Sequence, residues 1–310
     1  MYQVSDQSGR RFVVTGANIG LGKEAVKRLA GAGAEVIMAV RTPAKGEATR
    51  ADILREYPDA RLEVRRVDLA DLAVVAEFAQ GLIAEDRPVH TLINNAGVMA
   101  VPKRLETADG FELQWGSNFL GPFALTMHLL PLLLQAPSPR VVTMSSAAAN
   151  FGTINFRDLD SRGRYISMRA YAASKLGNLL MGRRLADVAR ERNWSLISTV
   201  AHPGLTHTNL TTAGPSLGGG SPMQALFDKV PMPAQEVQTG AEPMLFGATD
   251  PAVVNGAFYG PSGRFGMVGP TTKVSIPHSA KGATLARSLW AVAEDLTGTS
   301  LPERSPVTSA

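Results

Sequence analysis

"VVTGANIGLG", Val13 to Gly22, sets three glycines directly behind a short β-branched run. Glycine in the turn from a strand into a helix lets backbone N–H groups approach a phosphate, and the helix N-terminus adds a partial positive charge. Gly16, Asn18, Ile19, Gly20 and Gly22 are therefore candidate contacts for a dinucleotide pyrophosphate. A glycine turn that holds nothing has the same composition, so the flanking chain has to decide.

Outward from this run, short apolar stretches alternate with longer amphipathic ones. "RRFVVTG" precedes Gly22–Gly33, "AEVIMAV" precedes Pro43–Tyr57, and "RLEVRRV" precedes Asp71–Asp86. "VHTLINN" precedes Gly110–Leu134, "PRVVTMS" precedes Tyr171–Arg192, and "SLISTVA" follows. Strand and helix in alternation predict βαβ units: an α/β chain whose doubly wound parallel sheet carries helices on both faces. Beyond Pro203 the texture turns Gly- and Pro-rich, and 205–242 reads as a substrate loop or lid. A strand at "GAFYG" and a helix from Ser279 to Leu296 bring the chain back to the core. No repeat or composition shift divides the chain, so 1–310 reads as one domain.

Composition narrows the function. The 31 basic and 27 acidic residues are interspersed, which argues against a nucleic-acid surface. With no cysteine, disulfides, thiolate nucleophiles and cysteine-ligated metals are excluded. The five histidines lack metal-ligand spacing, so no metal is expected. The polar start "MYQVSDQSGR" has no signal-peptide core, and "FALTMHLLPLLL" is too short to span a bilayer. The expected setting is the cytoplasm, without membrane attachment.

An NAD site usually carries an acid at the end of the second strand, bonding the ribose hydroxyls. Here that end reads "MAVRTPAKGE", and Arg41 stands at the position, with Thr42 and Lys45 nearby. A guanidinium suits the 2′-phosphate of NADP(H). NADP(H) is the expected cofactor and NAD(H) the alternative. Farther on, "RAYAASKLGNLL" puts Tyr171 and Lys175 one helical turn apart on one face. An ammonium about 4 Å from a phenol is worth about 4 kcal/mol at an effective dielectric near 20, enough to lower the phenol pKa by up to about three units. Tyr171 is then expected to serve as an acid/base near neutrality. Phe111, Trp115, Phe119 and Phe123 fall near helical spacing and read as packed core or a helix–helix interface.

"TGANIGLG", "NNAG" (Asn94–Gly97), "SNFLGPF" with Asn118, "VVTMSS" with Ser145 and Ser146, "YAASK" and "HPGLTHT" occur in this order between about Arg11 and Thr208. In this the chain resembles the short-chain dehydrogenase/reductase family. Through "TGANIGLGK", "RTPAKGE", "INFRDLD" and "WAVAEDLTG" it is similar to the retinol-dehydrogenase-like and carbonyl-reductase-like members. The resemblance implies a Rossmann fold binding NAD(P) and hydride transfer between the nicotinamide and a ketone, aldehyde or alcohol. It implies that Tyr171 exchanges a proton with the substrate oxygen, and that Ser146, rather than Ser145, holds that oxygen. Lys175 would bind the nicotinamide ribose and Asn118 a proton-relay water. Asn95, Ala96 and Gly97 would line the adenosine side, Asp68 and Leu69 the adenine, and Pro203, Gly204, Leu205 and Thr208 the nicotinamide carboxamide. The helices of Asn118 and Tyr171 would pair between subunits of a homodimer or homotetramer.

Ser146 and Tyr171 are 25 residues apart because "NFRDLDSRGRYISMR" intervenes, a longer spacing than in compact members of the family. The two subgroups named carry such an insertion, which bears on the shape of the substrate cleft. His202 and His207 flank the nicotinamide-side loop and read as structural rather than catalytic. The expected function is NADP(H)-dependent carbonyl/alcohol interconversion on a moderately apolar small molecule. The alternatives are an NAD-linked alcohol dehydrogenase and a non-catalytic NADP-sensing protein of the same fold.

Overall fold

The computed structural model describes residues 1–206 and 234–302. Eight strands form one sheet: β1 (Arg11–Thr15), β2 (Glu35–Val40), β3 (Arg61–Arg66), β4 (Thr91–Asn94), β5 (Arg140–Met144), β6 (Ile197–Ala201), β7 (Phe258–Pro261) and β8 (Thr271–Lys273). Their order is β3-β2-β1-β4-β5-β6-β7-β8. All neighbours are parallel except β7 and β8, which pair antiparallel with Gly260 opposite Thr272. The expected doubly wound sheet is present. It gains an edge strand that "TTK" was too short and too polar to announce.

The central strands are buried on both faces, as a parallel sheet between helices requires. Alternation along β1 feeds two cores. Val13 joins Leu92 and Val141 under α3 (Leu72–Ile83), α5 (Gly121–Leu133) and α6 (Ser167–Glu191). Phe12 and Val14 join Met38 and Ile93 under α1 (Gly20–Gly31), α2 (Pro43–Glu56) and α8 (Glu242–Thr249). The strand order reverses between β1 and β4, which opens a crevice at the carboxyl ends of these strands.

The stretch Gly110–Leu134, read as one helix, divides into a single turn α4 (Leu113–Trp115), a π turn (Gly116–Leu120) and α5. Pro122 causes the break: it has no N–H for the Asn118 carbonyl, and the Gly121 amide instead reaches back to Gly116. Within 205–242, read as loop, Val237–Gly240 forms α7 and Glu242 already opens α8, while 207–233 lies outside the described residues. The last helix, α9 (Ala283–Thr297), stops at Gly298 in the left-handed region.

Helix α9 lies in the groove between α5 and α6, where Leu289 and Trp290 meet Phe119, Phe123 and Met181. The Trp290 ring sits edge-on to Phe123 at 4.9 Å, extending a run from Trp115 to Phe119 at 4.6 Å and on to Phe123 at 6.2 Å. The aromatic series is thus packed core. The groove between α5 and α6 is filled from within the chain.

Candidate functional site

The glycine turn opens at the end of β1. Gly16 and Gly20 have φ of +66° and +53°, and a Cβ on Gly22 would stand 2.2 Å from the Gly16 carbonyl oxygen. Only hydrogen fits there, which lets the turn fold flat against α1. Ile19 precedes α1 in extended conformation and gives its first turn no side-chain cap. Uncapped amides and a positive helix end therefore face the crevice. Thr49 donates to the Asn18 carbonyl at 2.9 Å, tethering the turn to α2.

Thr15, not foreseen as a site residue, joins this turn to the end of β4. Its Oγ1 accepts from the amides of Asn95 and Ala96, both at 3.0 Å, while Asn95 Nδ2 donates to the Thr15 carbonyl at 2.8 Å. Its signal was its place as the last residue of a buried strand, immediately before the first glycine. Arg41, Thr42 and Lys45 are exposed where β2 runs into α2, and Thr42 leaves that helix end without a side-chain cap. Asp68 accepts from the Ala70 amide at 3.0 Å, and Leu69 is buried beside it.

The four residues expected to do the chemistry come from three elements. Asn118, in the π turn, is fully buried; its Oδ1 accepts from the Val98 amide at 2.7 Å, and its Nδ2 donates to the Val98 carbonyl and to Ser174 Oγ. Lys175, on α6, donates to the Met144 carbonyl at 3.2 Å. A Cβ on Gly97 would fall 3.0 Å from Asn118 Oδ1 and 3.3 Å from Lys175 Nζ, so the absence of a side chain there brings both residues against the end of β4. Ser146 follows β5, caps a short turn by accepting from the Ala148 amide, and lies close enough to the Tyr171 phenol to favour its ionised form. Ser145 is occupied elsewhere: its hydroxyl donates to the Lys175 carbonyl at 2.7 Å.

Electrostatics depart from the sequence reading. Burial pushes the Tyr171 phenol up to about 12, with Ser146 opposing the rise. Lys175 falls to about 8, because burial disfavours its ammonium. Both residues are 4% exposed, and the ammonium sits 5.8 Å from the centre of the Tyr171 ring. Desolvation thus outweighs the attraction that was expected to draw the phenol toward neutrality.

The insertion packs back on the segment after β4. Tyr165 donates to the Val101 carbonyl at 2.9 Å, Arg104 donates to the Asp160 carbonyl at 2.9 Å, and the Glu112 amide donates to the Asp160 side chain. On the other side of the crevice, Pro203, Gly204 and Leu205 turn away from β6. The Leu205 amide donates to the Met267 carbonyl and its carbonyl accepts from the Gln235 amide, both at 2.8 Å. His202 is buried beside Phe258, accepts from the Gly204 amide at Nδ1, and is lowered by burial to about 4. Burial thus favours its neutral form. His207 and Thr208 lie outside the described residues, as do Leu210, Leu217, Met223, Leu226 and Phe227 of the expected lid. Among the described residues, no cluster of acidic or histidine side chains suits a metal, and no helix is long and apolar enough to cross a membrane.

The chain is 42% identical over 203 residues to retinol dehydrogenase 12 of Mus musculus, a match covering 66% of this chain and 63% of that protein's length. Retinol dehydrogenase 11 of Homo sapiens is 36% identical over 94% of this chain and 86% of its own. A solved structure from Mycobacterium paratuberculosis superposes with a TM-score of 0.79 at 41% identity, over 96% of this chain and 97% of its own. Another, from Beutenbergia cavernae and described as an NAD(P) dependent gluconate 5-dehydrogenase with bound NADP, gives 0.63 at 27% identity over 82% and 95%. The family model of the short chain dehydrogenases matches residues 10–216, and with the glycine turn, the Asn94–Gly97 corner and the Ser146–Tyr171 pair in one crevice, this chain belongs to that family.

Proposed function

We propose that this chain is an NADP(H)-dependent oxidoreductase interconverting a ketone or aldehyde and its alcohol, with Ser146, Tyr171, Lys175 and Asn118 as its working residues. The observation that carries the reading is the Tyr171 phenol, buried, within electrostatic reach of Ser146 and flanked by Lys175, at the carboxyl end of β5. The turn fits a dinucleotide: its φ angles and its close backbone approach leave room for a pyrophosphate, and the uncapped end of α1 supplies the donors. A bound nicotinamide supplies or accepts the hydride.

The residues of the chain then handle the oxygen and its proton. In the reductive direction the carbonyl oxygen gains negative charge as hydride arrives, and the Tyr171 and Ser146 hydroxyls are preset donors for it. Tyr171 gives its proton as the alcohol forms and takes one back in oxidation. A phenol lifted to about 12 holds its proton firmly before a substrate and a cofactor enter. Lys175 places a cation beside the phenolate that results, and Asn118, whose carbonyl has no α-helical donor because of Pro122, offers an acceptor for a water that returns the proton.

Arg41, with Thr42 and Lys45 at the uncapped start of α2, is the proposed grip on the 2′-phosphate. The substrate class we propose is a moderately apolar carbonyl or alcohol, in keeping with the names of the relatives. Titration with NADPH and separately with NADH, followed by nicotinamide fluorescence, tests the reading. Tight NADPH and weak NADH binding is the expected result. Preference for NADH would remove Arg41 from its role, and binding of neither would overturn the assignment of the turn.

A further inference from the structure

Gln235 lies where the chain re-enters the described structure, inside the Gly- and Pro-rich stretch, and it is 8% exposed. Each of its polar side-chain functions is used, on segments that follow β6 and β7. Nε2 donates to the Pro203 carbonyl at 2.8 Å, and Oε1 accepts from the Gly269 amide at 3.1 Å. Its backbone amide donates to the Leu205 carbonyl at 2.8 Å, in a parallel bridge that sets Thr206 beside it. The Pro203 carbonyl also accepts from Thr206 Oγ1 at 2.8 Å, and the Leu205 amide bonds the Met267 carbonyl.

One side chain therefore joins three pieces remote in sequence: the turn after β6, the strand returning toward α7, and the β7–β8 connection. Apart from this, the 203–206 turn is irregular backbone, held by a few hydrogen bonds and without a sheet ladder. We infer that Gln235 is a positioning residue: it fixes the Pro203–Thr206 turn against the 263–269 segment, and so sets the wall on which the nicotinamide end of the cofactor rests. That consequence rests on the proposed function; the clamp itself does not. Gln235 touches no reacting atom and acts through the turn. Its effect is read at the hydride-transfer step.

The test is Gln235→Met, which keeps length and volume and removes both side-chain hydrogen bonds. In the cofactor-free protein, hydrogen exchange read by mass spectrometry should quicken in peptides covering 200–206 and 263–269, while β1 and α1 stay unchanged. Unchanged exchange in both peptides would overturn the inference whatever the chain catalyses. With a carbonyl substrate and NADPH, kcat should fall about tenfold or more while KM for NADPH moves by less than about threefold. The isotope effect with NADPH deuterated at C4 should rise as hydride transfer becomes slower. A loss of packing alone would lower Tm and leave that isotope effect where it was. A folded variant with wild-type kcat and isotope effect would also overturn the positioning role, whereas faster exchange in the variant, with a wild-type chain that turns over no carbonyl, would refute the proposed function and leave the clamp standing.

Discussion

The two ends of the sheet treat buried charge in opposite ways. At the amino end, Arg11 is almost wholly buried and pairs with Glu35 at 3.0 Å and with Glu85, which also takes Arg65. Burial works to raise the Glu85 carboxyl, but hydrogen bonds from Arg65 and Arg11 prevail and hold it below its ordinary value. At the carboxyl end, Lys175 is equally buried but has the Met144 carbonyl as its hydrogen-bond partner and is displaced to about 8. The charges at the first end are spent on one another. At the second a cation is kept at a cost in stability, a pattern typical of groups reserved for chemistry.

Removing the Tyr171 hydroxyl should give the largest effect. Tyr171→Phe is expected to lower kcat by about 10³-fold or more while NADPH binding stays within a few-fold, because proton transfer is lost and the cofactor contacts are not. Retained turnover would show that the carboxyl end does no acid/base work. Next comes the structural end: Arg11→Met leaves Glu35 and Glu85 without their buried partner and should cost about 3 kcal/mol in urea unfolding, with kcat per folded molecule unchanged.

Lys175→Met should act with the opposite sign on stability. In the cofactor-free chain the folded lysine releases its proton near 8 and the unfolded one near 10.5, so folding stability rises with pH across that window and carries the full burial penalty below it. The variant should exceed wild type by up to about 3 kcal/mol at pH 7, and the gap should close between pH 8 and 10.5. Tyr171 contributes in the reverse sense only above pH 10, where the unfolded phenol ionises first, and does so in both proteins. A variant less stable than wild type at pH 7 would erase the contrast between the two ends. The smallest effect is Arg41→Ala, expected to weaken NADPH binding about ten- to a hundredfold and NADH binding little. Equal losses for both would place Arg41 away from the 2′-phosphate.

The glycine turn and six of the seven parallel strands were legible in the sequence because each is a local pattern: a fixed spacing of glycines, or an apolar run with turns on either side. β7 was legible as "GAFYG", though displaced by two residues. The choice of Ser146 over Ser145 came from motif order and not from any property of the serines themselves. The π turn had a readable signal, Pro122 four residues after Asn118, which the apolar run around it masked. Burial of the Tyr171–Lys175 pair was not legible, because it depends on Gly97 and Met144 arriving from other strands. Gln235 lay hidden for the same reason: its stretch has no periodicity, and its three partners lie some thirty residues away on either side.

Helix α9 bears on how the molecule comes to be built. Asn118 lies in the π turn leading into α5 and Tyr171 on α6, the two helices that α9 wedges together, yet α9 leaves the ribosome more than a hundred residues after either of them. The strands of the dinucleotide half, β1 through β4, all pair within the first hundred residues, while the catalytic half waits on a contact with a far later part of the chain. A nascent chain paused before Ala283 would thus be expected to grip a dinucleotide before it could use one.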